Sequence, residues 1–185
     1  MTTRYTFAAG RSRFTVQAFA TGMLSFLGHS PTFTVREYSG TLRFDPANLQ
    51  STALDLTVSA PSLTLLDQVS AADRAEVERR MFHEVLETPV FPTITFRADD
   101  VNAQPRGTGR FRLDIGGRLT LHGVTQPYRI DAELVLGGSD VHLRGEDILS
   151  MADFRIKPVS AVGGTIKLKD EVKISFDLLG LPEAT

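Results

Sequence analysis

Apolar and polar residues alternate with a period of two along most of this chain, and that period is typical of β-strands with one buried face. The longest alternating run is 128–136, in which the apolar positions are Tyr128, Ile130, Ala132, Leu134 and Leu136. The other runs are 12–18, 32–37, 41–45, 54–58, 63–65, 94–98, 111–115, 119–121, 141–143 and 172–178. About ten strands of this kind favour a closed barrel or a sandwich over an open sheet. We therefore expect an all-β, antiparallel fold.

Glycines and paired carboxylates punctuate these runs. Gly116-Gly117, Gly137–Asp140 and Gly163-Gly164 are predicted turns between strands. Gly107–Gly109 precedes a strand and not a helix, so it is also predicted to be a turn and not a phosphate loop. The carboxylate pairs Asp99-Asp100 and Asp170-Glu171 fall at predicted strand ends, where solvated turn residues are expected.

One segment, 70–88, has a helical period instead. Ser70 and Asp73 have the spacing of a capping box, in which each side chain hydrogen-bonds near the helix start. The apolar stripe that follows consists of Val77, Met81, Phe82, Val85 and Leu86. Pro89 ends the run. We expect one amphipathic helix at residues 70–88 that lies across the barrel or plugs one end, either as a lid or simply as a cover over the core.

Length and composition narrow the class of protein. A chain of 185 residues suits one domain, and it contains no cysteine for a disulfide, a thiolate nucleophile or a cysteine metal site. The net charge of -2 gives no electrostatic footprint for nucleic acid. No apolar run is long enough for a spanning helix, and the N-terminus has no apolar core of a signal peptide. We expect a cytoplasmic protein, or a periplasmic or secreted one if a leader has been removed.

The sequence contains no recognised catalytic constellation. Its histidines, His29, His83, His122 and His142, form no metal-binding or nucleophile motif. A metal site of two or three histidines from distant strands remains an alternative, as does a base at His29 or His122. We expect no enzymatic activity, no metal and no cofactor other than a bound lipid.

The inward-facing side chains of a small barrel either fill the interior or leave a cavity for one ligand. The chain has 12 phenylalanines and no tryptophan, so large apolar side chains are available for either arrangement. Patterning alone does not separate these two cases.

Several motifs in chain order resemble the YceI family of lipocalin-like, isoprenoid-binding proteins. The most recognisable one is GRLTLHGVTQP at 117–127, which is similar to the family's G-x-L-T-[IL]-x-G-V-T-x-P run. FPTITF at 91–96 follows the helical segment, as the family's F/Y-P-x-I-x-F element does. GTLRFD at 40–45, MADF at 151–154 and DEVKI at 170–174 match three further elements. The chain is identified as a member of this family over nearly its whole length, as a single domain at 1–185.

The resemblance implies an eight-stranded, lipocalin-like barrel with a helix and a long tunnel for polyisoprenoid chains such as those of quinones. Members of the family are often homodimers and are commonly exported, so the resemblance makes a homodimer one expected assembly. The chain departs from the family pattern at Ser150–Ala152, where Asn-Arg is frequent, and at Arg155, where glycine is usual. These departures bear on ligand identity and compartment more than on the fold.

The implied function is carriage or storage of a polyisoprenoid, quinone, fatty-acid-like lipid or similar amphiphile. The candidate wall residues are Phe14, Val16, Phe33, Val35, Leu42, Phe44, Leu56, Val58, Ile94, Phe96, Leu119, Leu121, Ile130, Leu134, Ile174 and Phe176. The candidates at the pocket mouth are His29, Tyr128, Leu24 and Phe26. Two alternatives are a solid-core stress-response or interaction module without a ligand, and an enzyme that uses His29 or His122 in the cavity.

Overall fold

A computed structural model of the protein describes residues 2–21, 30–157, 160–161 and 166–183. Within these ranges, twelve strands form one antiparallel sheet. The strands are β1 (Thr3–Phe7), β2 (Arg13–Thr21), β3 (Thr32–Val35), β4 (Tyr38–Phe44), β5 (Ala53–Ser59), β6 (Leu63–Leu65), β7 (Thr93–Gly107), β8 (Arg110–Leu121), β9 (Val124–Gly137), β10 (Asp140–Ser150), β11 (Ser160–Ala161) and β12 (Ile166–Pro182). The predicted all-β, antiparallel class is confirmed.

The sheet closes on itself into a barrel. Its order β1-β4-β5-β7-β8-β9-β10-β12 returns to the start through pairing of β1 with β12. Three further strands extend the barrel wall. β2 pairs with β12 beyond the end of β1, β3 pairs with β2, and β6 pairs with β3. The circle is therefore eight strands round, and the expected lipocalin-like barrel is confirmed.

One pole of the barrel is filled with side chains. This filled pole carries the β7–β8 and β9–β10 turns. Its fully buried residues include Leu42, Phe44, Leu113, Leu134 and Val141. The rings of Phe44 and Phe111 meet edge to face with centroids 4.8 Å apart, a favourable aromatic geometry. Close packing at this pole leaves any interior space to the opposite pole.

The predicted helix exists and is shorter than expected. Helix α1 runs Ala71–Arg80 and continues as a π-helical turn, Met81–Val85. Its cap is confirmed, because the Ser70 hydroxyl accepts the backbone N–H of Asp73 at 3.1 Å. Residues 86–88 of the predicted range are not helical, and Glu87 has a φ of +46°, which ends the helical path before Pro89.

Some predicted turns are wrong. Gly116 and Gly117 lie inside the continuous strand β8, and a Cβ on Gly117 would stand 2.3 Å from the backbone oxygen of Arg97. Gly117 therefore allows a close approach of β7, and the two glycines are not a turn. The other two glycine turns, 107–109 and 137–140, connect strands as predicted, whereas Gly163-Gly164 lies outside the described residues.

The carboxylate pairs do not end strands either. Asp99-Asp100 lies within β7 and Asp170-Glu171 within β12. At each pair the strand register shifts, between Ala98 and Asp100 and between Leu168 and Val172. A bulge interrupts the alternation without ending the strand, so its sequence resembles a strand end. The sequence also missed β1, which contributes only two inward apolar residues, Tyr5 and Phe7.

Candidate ligand-binding cavity

An apolar cavity of about 390 Å³ occupies the barrel towards the pole opposite the filled one. Inward-facing side chains from most of the barrel strands form its wall. The only charged side chains on the wall of the described cavity are Asp73, Glu76 and Arg80 of α1. The volume lies within the range of small-molecule sites, roughly 300–1,000 Å³, and far exceeds the space that one water needs. The barrel is therefore hollow at this pole.

Most of the predicted wall residues meet at this cavity. Thirteen of the sixteen line it, namely Phe14, Val16, Phe33, Val35, Leu56, Val58, Ile94, Phe96, Leu119, Leu121, Ile130, Ile174 and Phe176. They come together because the period of two places them on the inner face of the closed sheet.

The other three predicted wall residues, Leu42, Phe44 and Leu134, do not line the cavity. They point inward as expected, but they lie at the filled pole, where all three are at most 1% exposed. Alternation identifies the inner face of a strand, but it carries no information on the height of a residue along the barrel axis.

The cavity also has wall residues that the sequence analysis did not select. Those on the strands and the following turn are Phe7, Ala18, Leu54, Leu63, Ile115, Leu143, Leu149, Met151, Ile156, Leu168, Val172 and Leu178. Several of them, such as Leu54, Ile115 and Val172, share the parity of selected neighbours on the same strand, so the signal was present. Met151 and Ile156 lie in an irregular turn, where alternation gives no signal.

Helix α1 and its π-helical turn form part of the wall through Val77, Met81, Val85 and Leu86. Met81 is buried in a cluster with Phe33, Val35, Val58, Leu63 and Leu65, which places the helix at the hollow pole. No residue of α1 itself is fully buried. The helix is attached through polar contacts instead: Leu65 N–H donates to Glu78 Oε1 at 2.9 Å, and the Arg74 guanidinium donates to the backbone oxygens of Leu65 and Asp67.

The charged wall residues of α1 are largely paired within the helix. Arg80 Nε lies 2.6 Å from Glu76 Oε1, and Arg79 Nε lies 3.0 Å from Glu76 Oε2. Hydrogen bonds from Arg79 and then Arg80 hold the pKa of Glu76 to about 2. The charge of Arg80 is therefore balanced by the Glu76 carboxylate at the cavity wall.

Of the predicted mouth residues, Tyr128 is the one that the structure describes. It lines the cavity, and its hydroxyl donates a hydrogen bond to Asp147 Oδ2. Burial, followed by the hydrogen bond to the Asp147 carboxylate, raises the pKa of Tyr128 well above its usual value. Leu24, Phe26 and His29 lie outside the described residues.

The described histidines stand away from the cavity. His122 occupies the β8–β9 turn with a φ of +51°, and its Nε2 lies 2.6 Å from Glu87 Oε2. Its ring also packs on Phe91, with centroids 4.4 Å apart. His142 Nδ1 lies 2.6 Å from Asp177 Oδ1. His122 is therefore not placed to act as a base in the cavity, and within the described ranges no three histidine or carboxylate side chains are grouped to hold a metal.

An eight-stranded barrel with a hollow apolar pole beneath a short helix defines a lipocalin-like barrel protein. Within that class, the family model for the YceI-like domain matches residues 5–179, and the chain belongs to this family. The resemblance in the sequence motifs is thus confirmed. No helix in the described part of the chain is both long enough and apolar enough to cross a membrane.

One related sequence and two solved structures match most of the chain. Protein YceI of Escherichia coli O157:H7 is 29% identical over 147 residues, which are 76% of this chain and 71% of that protein. The crystal structure of Burkholderia cenocepacia BcnA superimposes with a TM-score of 0.72 at 16% identity, covering 97% of this chain and 99% of that one. A polyisoprenoid binding domain from Saccharophagus degradans, implicated in plant cell wall breakdown, gives a TM-score of 0.66 at 15% identity, covering 97% and 98%. At these identities the solved structures show a shared fold.

Proposed function

We propose that the protein binds a long apolar ligand, a polyisoprenoid or a lipid of similar shape such as a quinone, inside the barrel and carries or stores it without chemical change. The observation that carries this proposal is the cavity of about 390 Å³ whose wall is almost entirely aliphatic and aromatic. The binding of a polyisoprenoid by the Saccharophagus degradans domain of the same fold supports the ligand class.

The chemistry of the wall favours a long ligand over a small one. Each 100 Å² of apolar ligand surface removed from water contributes about 2.5 kcal/mol. Association costs at least roughly 4 kcal/mol in lost translational and rotational freedom. A small apolar molecule barely exceeds that cost, whereas an extended chain buries several times more surface. Binding therefore strengthens with chain length until the cavity is full.

The two alternatives receive less support from the described residues. A solid-core interaction module needs a filled interior, and the barrel is hollow at one pole. An enzyme that uses His122 needs that ring in the cavity, but His122 packs against Glu87 and Phe91 outside the wall. A role for His29 is untested, because that residue lies outside the described residues.

The test is mass spectrometry of an organic extract from protein purified without detergent. We expect a stoichiometric apolar species with a long chain, absent from the extract of an unrelated protein prepared in the same way. An empty extract is followed by incubation with quinones and polyprenols of increasing chain length and renewed extraction. If no such compound is retained at any length, the proposal is wrong.

A further inference from the structure

The barrel wall has a seam between β9 and β10. Their pairing runs from Asp140–Gly137 to Arg144–Glu133 and stops there. Beyond that point β10 continues along β12 as far as Ser150, and β9 continues along β8 as far as Val124. Within the described ranges, no other strand pairs with the facing edges of β9 and β10 along this stretch. The two strands separate there, and side chains and the following turn occupy the space between them.

Pro127 lies at a position of β9 where an unpaired strand edge tolerates proline. Residues of an antiparallel pair alternate between hydrogen-bonded and non-hydrogen-bonded positions. Counting from the Leu121–Val124 pair that closes the two-residue turn, the Arg118–Pro127 pair is non-hydrogen-bonded. The nitrogen of Pro127 therefore points away from β8 towards the seam, where its missing N–H costs no ladder bond.

Polar groups bridge the seam beside the cavity. Asp147 shares the inward parity of the buried Leu143 and Leu149, so its carboxylate faces the interior side of β10. Tyr128, on the facing strand, lines the cavity and donates its hydroxyl hydrogen to Asp147. Gln126 Nε2 lies 3.4 Å from the backbone oxygen of Asp153, at the end of the seam towards the β8–β9 turn.

Tyr128 and Asp147 offer hydrogen-bond acceptors, and the described residues place no counter-cation beside them. An ionised aspartate only accepts hydrogen bonds, and the Tyr128 oxygen, having given its hydrogen to Asp147, has lone pairs left to accept one. Neither Asp147 nor Asp153 forms an ion pair with any described residue, and both charges act on Tyr128. The cationic wall residue at the cavity, Arg80, is paired with Glu76 on the helix. An anionic group at the seam meets like charge, whereas a hydroxyl group meets acceptors.

We propose that the Tyr128–Asp147 seam binds the polar head of the ligand and selects a neutral hydrogen-bond donor, an alcohol or a phenol, over a phosphate or carboxylate. This inference rests on the proposed function, since it assigns the head of the same apolar ligand. The chain of the ligand lies along the hollow pole, and its hydroxyl group donates to Tyr128, which lines the cavity, or to the adjacent Asp147 where β9 and β10 separate.

The test compares three probes with one chain and different heads: farnesol, farnesyl methyl ether and farnesyl phosphate, titrated into the wild-type protein at pH 7. We expect farnesol to bind most tightly. The ether, which has no hydrogen to donate, is expected to bind about fivefold more weakly, the equivalent of one net hydrogen bond. The phosphate is expected to bind at least about tenfold more weakly, because the Asp147 carboxylate beside it carries a like charge with no counter-cation among the described residues.

Two variants locate the selection at the seam. Asp147→Asn removes one negative charge and is expected to bring the phosphate within about threefold of the ether. Asp131→Asn is the control, since that carboxylate lies on the outer face of β9 in an ion pair with Arg112, and it is expected to leave the ranking unchanged. Equal affinity of wild-type protein for all three probes would overturn the head-group assignment while leaving the proposed function intact. If no probe bound while longer polyprenols were retained in the extraction test, the head-group assignment alone would fail. If those polyprenols were not retained either, both would fail.

Discussion

Ser150 donates its hydroxyl hydrogen to Asp170 Oδ2 across the β10–β12 pair, at a distance of 2.6 Å. The other oxygen of the same carboxylate accepts the backbone N–H of Ala152 at 2.8 Å. Asp170 thus holds both the end of β10 and the beginning of the turn at 151–156. Two side chains of that turn, Met151 and Ile156, line the cavity.

Replacing Asp170 is therefore expected to destabilise the barrel. In Asp170→Ala, the Ser150 hydroxyl and the Ala152 N–H both lose their acceptor, so the free energy of unfolding should fall by about 1–3 kcal/mol. Ser150→Ala removes only one of the two bonds and should cost about 1 kcal/mol. Urea denaturation of both single variants and the double variant measures the coupling. A loss for Asp170→Ala no larger than that for Ser150→Ala would contradict this assignment.

The role of Asp170 shows where reading the sequence failed. The pair Asp170-Glu171 was expected to be a solvated strand end, because two successive polar residues interrupt the period of two. In the structure, the interruption is a register shift within β12, and one of the acids is a structural acceptor. Local patterning cannot distinguish a bulge from a strand end, since the difference lies in which strand is adjacent.

The cavity wall was only partly predictable from the sequence, again because local patterning carries no information on long-range register. Parity alone placed Phe96 and Phe44 on the inner face of their strands, and both point inward. Phe96 lines the cavity, whereas Phe44 packs against Phe111 at the filled pole. The height of each residue depends on the registers of all eight strands together, which no single run of sequence encodes. The β9–β10 seam depends on the same long-range registers, and Pro127 is its one local sign.

The wall assignment predicts that a large side chain directed into the cavity blocks binding. Leu56 lines the cavity and is partly accessible within it, so Leu56→Trp should place the indole in the ligand space. We expect loss of binding of N-phenyl-1-naphthylamine, a neutral fluorescent apolar probe, with an unchanged circular dichroism spectrum. Leu66→Trp is the matched control, because Leu66 is 49% exposed and lies outside the wall. Unchanged probe stoichiometry in Leu56→Trp would show that the wall is wrongly assigned.

The attachment of α1 predicts how fast a ligand exchanges. Arg74 connects the helix to the backbone oxygens of Leu65 and Asp67, so Arg74→Met should loosen the helix at the hollow pole. We expect the dissociation rate of the same probe, measured by stopped-flow dilution, to rise about tenfold for a loss of ~1.4 kcal/mol. Arg79→Met is the control, because Arg79 pairs with Glu76 and Glu84 and not with the barrel. Equal rates in the two variants would mean that the helix does not control exchange.

The close approach of β7 to Gly117 predicts a large loss of stability when one methyl group is added at this position. In Gly117→Ala, the new Cβ would stand 2.3 Å from the Arg97 oxygen and 2.9 Å from the Ala98 Cα, and both are backbone atoms that cannot rotate away. Strands β7 and β8 must then separate, and we expect a loss of about 1–3 kcal/mol in urea denaturation. Gly10→Ala, where a Cβ meets nothing within 4 Å, should change stability by less than about 0.5 kcal/mol. Similar losses at both positions would contradict the overlap.

The fall of the unfolding free energy at acid pH should depend on Asp177. Burial alone would raise its pKa, but hydrogen bonds from His142 at 2.6 Å and Arg144 at 3.0 Å outweigh burial and hold the pKa below the usual 3.8. A depressed carboxylate pKa stabilises the folded state at pH values above 3.8, and this contribution disappears as the pH falls through the folded pKa.

The wild type should therefore exceed Asp177→Asn in unfolding free energy by about 1 kcal/mol at pH 6.5, a magnitude that suits a partly exposed ion pair. The difference should shrink steadily as the pH falls below 3.8, because the wild-type carboxyl then becomes protonated and neutral like the amide. Urea denaturation of both proteins at pH 6.5, 4 and 2.5 measures this difference directly, and a gap that stayed constant down to pH 2.5 would show that the ion pairs of Asp177 do not contribute to folding.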